Sequence, residues 1–386
     1  MPSSNPTPLS PQPRSASGGF QQSLARFWQR VSDGMELNQL WSQFKSEARS
    51  GYRLYSRDVE GRKDATRPRN HFETVKQFAW AILEKLSPAR RVLLLLAVAL
   101  LLVGGADYAS QNARGETIRV SFDLHIYAGL LLLLLLTMEI ADRVVMKRDL
   151  EIAKEIQAWL LPATPPEVPG MQLAFGTRPA NTVAGDFYDV FPRGEGKFLF
   201  VVADVVGKSI PAALLMATFQ ASLKTLSMTS GSLVALVERL NEYACTCSQG
   251  GQRFTTAFLA EYTPASRKLN YINAGHNNPV LRRAAGSIER LDVGGLPLGI
   301  QAAAPYSAAE VTLAAQDWLV IFTDGLVEAV NERNEDFGEP RLLAELNSGV
   351  ALAPSDLLRQ IMAAVDRFTG TAPQHDDTTC LLARVG

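Results

Sequence analysis

Residues 185–204, Gly-Asp-Phe-Tyr-Asp-Val-Phe-Pro-Arg-Gly-Glu-Gly-Lys-Phe-Leu-Phe-Val-Val-Ala-Asp, decide the fold. Two β-prone runs flank a Gly/Pro-rich centre, which is the signature of a hairpin. The hairpin is centred on Glu195, so Asp186 and Asp204 face one another across it, with Cβ atoms ~5 Å apart. Like charges so placed are destabilising, and a divalent cation held by oxygen ligands is the economical remedy.

Working outward, further strands are expected at 256–262, 268–273, 318–323 and 378–385, and helices at 211–227, 232–247 and 355–368. Strands and helices do not alternate as βαβ units. An α+β fold with antiparallel sheets and peripheral helices is therefore expected. A second acidic group obeys the same logic. Asp324 lies just past the strand 318–323, and Asp376 and Asp377 open the strand 378–385. If those strands pair antiparallel, the acids meet at one edge. One such aspartate alone reads as a turn residue, but a set of strand-end acids reads as a site. Carboxylates without His or Cys partners favour Mg2+ or Mn2+ over zinc. Two such ions would clamp a phosphoryl group and activate a water for its hydrolysis.

The chain also carries, in order, VAGDFYD (183–189), ADVVGKSIPAALLMA (203–217), NAGHNNP (273–279), LPLGI (296–300), FTDGLVEA (322–329) and DDTT (376–379). These motifs resemble the SpoIIE-like, RsbU-like branch of the metal-dependent (PPM-type) protein serine/threonine phosphatases, over roughly residues 160–386. The resemblance implies two antiparallel sheets packed as a sandwich, flanked by helices, with two Mn2+ or Mg2+ ions at one end. It implies Asp186, Asp204, Asp324 and Asp376 as metal ligands, joined by the Val205 carbonyl, with Asp377 as a ligand or close neighbour. The implied substrate is phosphoserine or phosphothreonine on a regulatory protein of anti-anti-sigma type. Ala184, Val206 and Ser209 stand where the family usually has Gly, Ser and Gly, and none of these departures removes a carboxylate.

The N-terminal half is of another kind. The 386 residues sum to a net charge of −1, yet residues 1–91 hold 15 Lys/Arg against 8 Asp/Glu. A basic front beside an acidic remainder suggests anionic lipid as its surroundings rather than nucleic acid. Residues 1–20 read as a disordered, Pro/Ser-rich tail, and 21–89 as a basic, partly amphipathic helical segment. That helix either packs on its neighbours or lies on a membrane surface. The uncharged runs 92–106 and 124–138 read as a two-helix transmembrane hairpin spanning 90–138. Each is shorter than the ~20 residues of an ordinary span, but neither shows a polar face. Arg90, Arg91, Arg143, Lys147 and Arg148 flank the pair, which places both termini and the catalytic domain in the cytoplasm, on a multi-pass protein of the cell membrane. Residues 139–161 contain no Gly or Pro and repeat Ile152, Ile156 and Trp159, as in a coiled coil able to pair with a second copy. Pro162 ends this linker, and 162–386 forms the phosphatase domain.

Other motifs are weaker. Gly207-Lys208-Ser209 mimics the tail of a P-loop, but Val202 stands where its first glycine must be. Lys208 reads as a solvated lysine, with attraction of substrate phosphate as the alternative. His276 reads as a turn residue, and His375 as an exposed one or a neighbour of the acids. Cys245, Cys247 and Cys380 offer neither a disulfide framework nor a zinc spacing. The sequence thus leads to a membrane-anchored protein serine/threonine phosphatase that attacks with activated water and forms no phosphoenzyme. The alternative is a non-catalytic membrane scaffold of the same fold that binds a phosphorylated partner.

Overall fold

The structure, a computed structural model, describes Trp80, Leu83 and residues 86–111, 117–248 and 250–386. The expected tail and almost all of the expected basic segment lie outside the described residues. The chain divides into two compact units, with the division between Glu139 and Ile140.

In the first unit, α1 (Pro88–Val103) starts with Pro88, whose fixed φ and missing N–H suit the first turn. It stops at Gly104, which has a φ of 74° and an N–H bonded back to the Leu100 carbonyl. Strands β1 (Gly105–Gln111) and β2 (Thr117–Asp123) then pair antiparallel, with Gly105 opposite Asp123. The connection between the two uncharged runs, which a bare helical hairpin would leave as a polar loop, is therefore a β-ribbon. The glycines that end α1 also release the backbone into an extended course. Helix α2 (Leu124–Leu160), whose residues from Ile140 onward belong to the second unit, follows and runs 37 residues, since no Gly after Gly129 and no Pro interrupts it before Pro162. Among the described residues it is the one helix long and apolar enough to cross a membrane, whereas α1 has 16 residues.

In the second unit the elements, in chain order, are β3 (Met171–Arg178), β4 (Phe187–Pro192), β5 (Phe198–Val205), α3 (Ile210–Ser227) and α4 (Leu233–Cys247). Next come β6 (Thr255–Thr263), β7 (Lys268–Ala274), β8 (Val280–Arg282), β9 (Ile288–Arg290), β10 (Gly294–Gly295) and β11 (Ala309–Thr312). The chain closes with β12 (Trp318–Phe322), α5 (Asp324–Val327), α6 (Glu339–Ser348), α7 (Pro354–Thr369) and β13 (Thr378–Val385). One sheet has the order β10-β7-β6-β5-β4, with β11 also on β7, and the other has the order β3-β13-β12-β8-β9. All neighbours are antiparallel except the short β10–β7 pair.

The two-residue period of the strands builds four layers. Along β5, Phe200 and Val202 enter the core between the sheets, while Leu199, Val201 and Ala203 turn outward under α3 and α4. Along β12 and β13, Leu319, Ile321, Leu381 and Ala383 enter the same central core. Trp318, Val320 and Leu382 instead pack under α6 and α7. Both faces of each sheet are thus covered, which is why β5, β12 and β13 read as continuous apolar runs. The same parity carries Asp186, Asp204, Thr323, Thr379 and Asp377 to the open end of the space between the sheets.

Candidate functional site

The β4–β5 hairpin pairs Phe187 with Ala203, so the next pair outward is Asp186 with Asp204, in the register the sequence predicts. Gly194, Glu195 and Gly196 all take positive φ, and the Arg193 N–H donates to the Lys197 carbonyl at 2.9 Å to close the turn. On the other sheet, Phe322 pairs with Cys380. That register brings Asp324, Asp376 and Asp377 to the same end of the sandwich as Asp186 and Asp204.

Hydrogen bonds between the sheets hold this end. Asp186 is 2% exposed, and its Oδ2 accepts from Thr323 Oγ1 at 2.9 Å. Thr323 Oγ1 in turn accepts from the Thr379 N–H at 2.9 Å. Asp377 Oδ1 accepts from the Ala180 N–H at 2.7 Å, and its Oδ2 from the Gly185 N–H at 2.6 Å. Both Asp377 oxygens therefore act as staples for the 180–185 loop, which distinguishes it from the other four acids. Gly185 has no room for a side chain, since a Cβ there would lie 3.0 Å from the Val205 carbonyl oxygen. That carbonyl consequently sits beside the Asp186 segment. Asp376 is half-buried, with Oδ2 2.9 Å from Lys208 Nζ. Lys208 is exposed, as the sequence suggests, and also donates to the His375 carbonyl.

The electrostatics follow from this crowding. Burial, and then the neighbouring Asp204 charge, raise the Asp186 carboxyl well above the ordinary carboxylate range. Burial, followed by the charges of Asp324 and Asp376, pushes Asp204 up to about 7. Asp324 and Asp377 are raised as well, in each case chiefly by burial. The carboxylates sense one another, and Lys208 is the cation drawn in among them. Among the described residues, no three His, Cys, Asp or Glu side chains converge closely enough to form a finished metal cage. The donor set is all oxygen, however, and its negative charge exceeds what one lysine offsets. Mg2+ and Mn2+ fit that chemistry.

His276 is buried, with Nδ1 3.1 Å from Thr256 Oγ1 and its N–H donating to Asn273 Oδ1 at 2.7 Å. The ring is thus held inside the loop that follows β7. Its Nε2 has no hydrogen-bond partner, although the Phe322 carbonyl is near enough to favour the protonated ring slightly. Burial outweighs this and pushes its pKa down to about 4. Beside Asp376, a cavity of about 100 Å³ opens between Arg178, Glu328, Gln374 and His375. Thr323 and Thr379 lie within the FTDGLVEA and DDTT motifs, where nothing in the residue pattern marks them as the links to Asp186. Gln157 sits in the linker helix with no local signal in the sequence.

A model of the Stage II sporulation protein E (SpoIIE) family matches residues 194–386, half of the chain. The chain belongs to the SpoIIE family. Its fold is PP2C-like. The SiaA-PP2C domain of Pseudomonas aeruginosa superposes with a TM-score of 0.57 at 22% identity, covering 64% of this chain and 99% of that one. Protein IcfG of Synechocystis sp. is 25% identical over 308 residues, 72% of this chain and 48% of its own length. Phosphoserine phosphatase RsbU of Bacillus subtilis is 26% identical over 239 residues, 62% of this chain and 70% of its own length. The chain thus spans about half of IcfG. The SpoIIE match opens at residue 194, so the placement of Asp186 rests on hairpin register.

Proposed function

We propose that this SpoIIE-family protein is a membrane-anchored phosphoprotein phosphatase. It hydrolyses phosphoserine or phosphothreonine on a regulatory protein, of the class that partners anti-sigma factors. The observation that carries this reading is the convergence of Asp186, Asp204, Asp324 and Asp376 from both sheets with too little positive charge to balance them. Asp186, Asp204, Asp324, Asp376 and the Val205 carbonyl would hold two Mn2+ or Mg2+ ions, with Asp377 bracing the loop before Asp186. Bound there, the ions would neutralise phosphoryl oxygens and lower the pKa of the attacking water. Thr323 keeps Asp186 oriented through its hydroxyl. Asp377 fixes the path of Gly185. Lys208 lies within reach of a phosphate arriving at Asp376. Cys245 and Cys247 lie on α4, and Cys380, fully buried on β13, packs in the cluster under α6 and α7 on the face away from the acids. This arrangement favours direct attack by water over a phosphocysteine.

The reading extends to the rest of the chain. Residues 90–138 would form a membrane hairpin of α1 and the first half of α2, with both termini cytoplasmic. Leu130, Leu133, Leu134 and Leu136 are exposed on α2, as lipid contact requires. The segment 139–161 would pair with a second copy through Ile152, Ile156 and Trp159, all exposed. Residues 162–386 would be the catalytic domain.

The test is Mn2+-dependent hydrolysis of p-nitrophenyl phosphate and of a phosphoserine peptide by the full chain in detergent. Turnover that EDTA stops and Mn2+ restores is expected. Tight, stoichiometric peptide binding with no turnover would replace the enzyme with the phosphoprotein-binding scaffold.

A further inference from the structure

We propose that Gln157, near the end of α2, is a positioning residue that fixes the backbone carrying Gly185 and Asp186. The inference rests on the reading of the acids as a divalent-metal centre and adds a device by which the linker helix governs that centre.

The neighbouring apolar side chains on this stretch of α2 face outward. Ile152 is 46%, Ile156 48% and Trp159 81% exposed. The buried side chain is instead a polar one, since Gln157 is 7% exposed. Both ends of its amide are engaged. Nε2 donates to the Ala184 carbonyl at 2.7 Å, and Oε1 accepts from the Ala184 N–H at 2.9 Å. This two-bond ring is the pairing a neighbouring strand would provide, supplied by one side chain. The next amide, that of Gly185, is held from the opposite side by Asp377 Oδ2 at 2.6 Å. Ala184 and Gly185 are therefore clamped between α2 and the second sheet immediately before Asp186. The Val205 carbonyl and Ala212 crowd the position so closely that a Cβ on Gly185 would lie 3.0 Å and 3.2 Å from them. A further bond, from Gln220 of α3 to the Leu160 carbonyl, ties down the end of α2.

The geometry makes the clamp sensitive. Sliding α2 by one residue moves Gln157 ~1.5 Å along the helix axis, enough to carry bonds of this length out of range. An apolar side chain at 157 would leave a buried N–H and C=O without partners, which a backbone resolves by moving. Displacing Ala184 displaces Asp186, and with it the carboxylate geometry.

The test compares the full-length protein in detergent with Gln157→Leu, which removes both bonds at similar volume, and Gln157→Glu, which retains only the acceptor. Three quantities are read: Mn2+ affinity by calorimetry, kcat and KM on a phosphoserine peptide, and amide exchange across residues 182–188. For Gln157→Leu, Mn2+ affinity and kcat are expected to fall about ten-fold, the scale found when the support of a metal ligand is removed. KM is expected to stay within about two-fold of the unaltered protein. Exchange at Ala184 and Gly185 should accelerate while β5 and β6 stay protected. Gln157→Glu should fall between the two, and it carries the comparison if the leucine variant does not fold. A lower melting temperature with Mn2+ affinity, kcat and local exchange all unchanged would overturn the proposal, as would tighter Mn2+ binding by the leucine variant. If the unaltered protein binds no Mn2+, the metal reading falls. The exchange rates would then still decide whether Gln157 holds this backbone.

Discussion

Gly325 passes so close to Asp377 that a Cβ on Gly325 would sit 2.1 Å from the Asp377 carbonyl oxygen and 2.9 Å from its carbonyl carbon. The obstacle is backbone, so no rotamer change can relieve it. Gly325→Ala is expected to destabilise the domain by about 3 kcal/mol or more, or to separate the Asp324 turn from the Asp376–Asp377 strand start. Gly231→Ala is the control, since nothing lies within 4 Å of a Cβ there. Urea unfolding of both variants measures the difference.

Asp204 is where the charge of the cluster can be removed with least change of shape. Asp204→Asn should abolish Mn2+-dependent hydrolysis while circular dichroism stays unchanged. In EDTA the same variant should be more stable than the unaltered protein. A carboxyl whose folded pKa is about 7, well above its ordinary 3.8, weakens the fold increasingly as pH rises from 3.8 through 7. The gain should therefore be near zero at pH 4 and about 2 kcal/mol above pH 7, since the neighbouring carboxylates share the titration. Urea titrations at the two pH values test this, and equal stabilities at pH 8 would contradict the crowded-carboxylate account.

His276 acts in the opposite direction over an overlapping range. Its pKa falls from 6.5 to about 4 on folding, so the unfolded chain takes up a proton that the fold refuses. Stability from this residue is complete above pH 6.5 and is lost as pH drops toward 4, by up to about 3 kcal/mol. Because the carboxylates titrate in the same window, the quantity to follow is the stability difference between the unaltered protein and His276→Gln. That difference should shrink steadily between pH 7 and pH 4.

Ser209 leads into α3 with φ 65° and ψ −147°, a region that glycine occupies freely and L residues do not. Relief of that strain in Ser209→Gly should stabilise the domain by about 1 kcal/mol, less the extra entropy of an unfolded glycine. A β-branched substitution, Ser209→Val, should cost at least as much as the glycine gains. Differential scanning calorimetry of the three proteins gives the ordering.

Much of this was legible in the sequence because it was periodic. The hairpin register of Asp186 and Asp204 followed from counting residues about Glu195, and the 324/376 meeting followed from strand ends. Runs buried on both faces, such as 198–205, declared themselves as unbroken apolar stretches. The missing elements had weaker signals. β3 alternates mixed residues that end only partly buried, and β8 to β11 are two to four residues long. α6 begins Glu-Pro after a glycine and is polar on most of its surface, with Leu342 and Leu346 buried. The ribbon β1–β2 does carry a strand signal, since Ile118, Val120 and Phe122 alternate with polar residues, but the long apolar runs on either side overshadow it. At the site, the acids were visible as types, but Gln157 was not. Its partner is a backbone amide 27 residues away, and a backbone amide leaves no trace in composition.

β13 is the final strand of the described chain, yet it lies inside its sheet, between β3 and β12, and its leading edge bears Asp376 and Asp377. A ribosome must therefore deliver nearly the whole domain before the acids of the two sheets can meet. A product cut short anywhere upstream of residue 376 would lack Asp376 and Asp377 and would expose two unzipped strand flanks, β3 and β12, to whatever proteases and chaperones are nearby. Completion of the acid cluster and protection from degradation arise in the same late step.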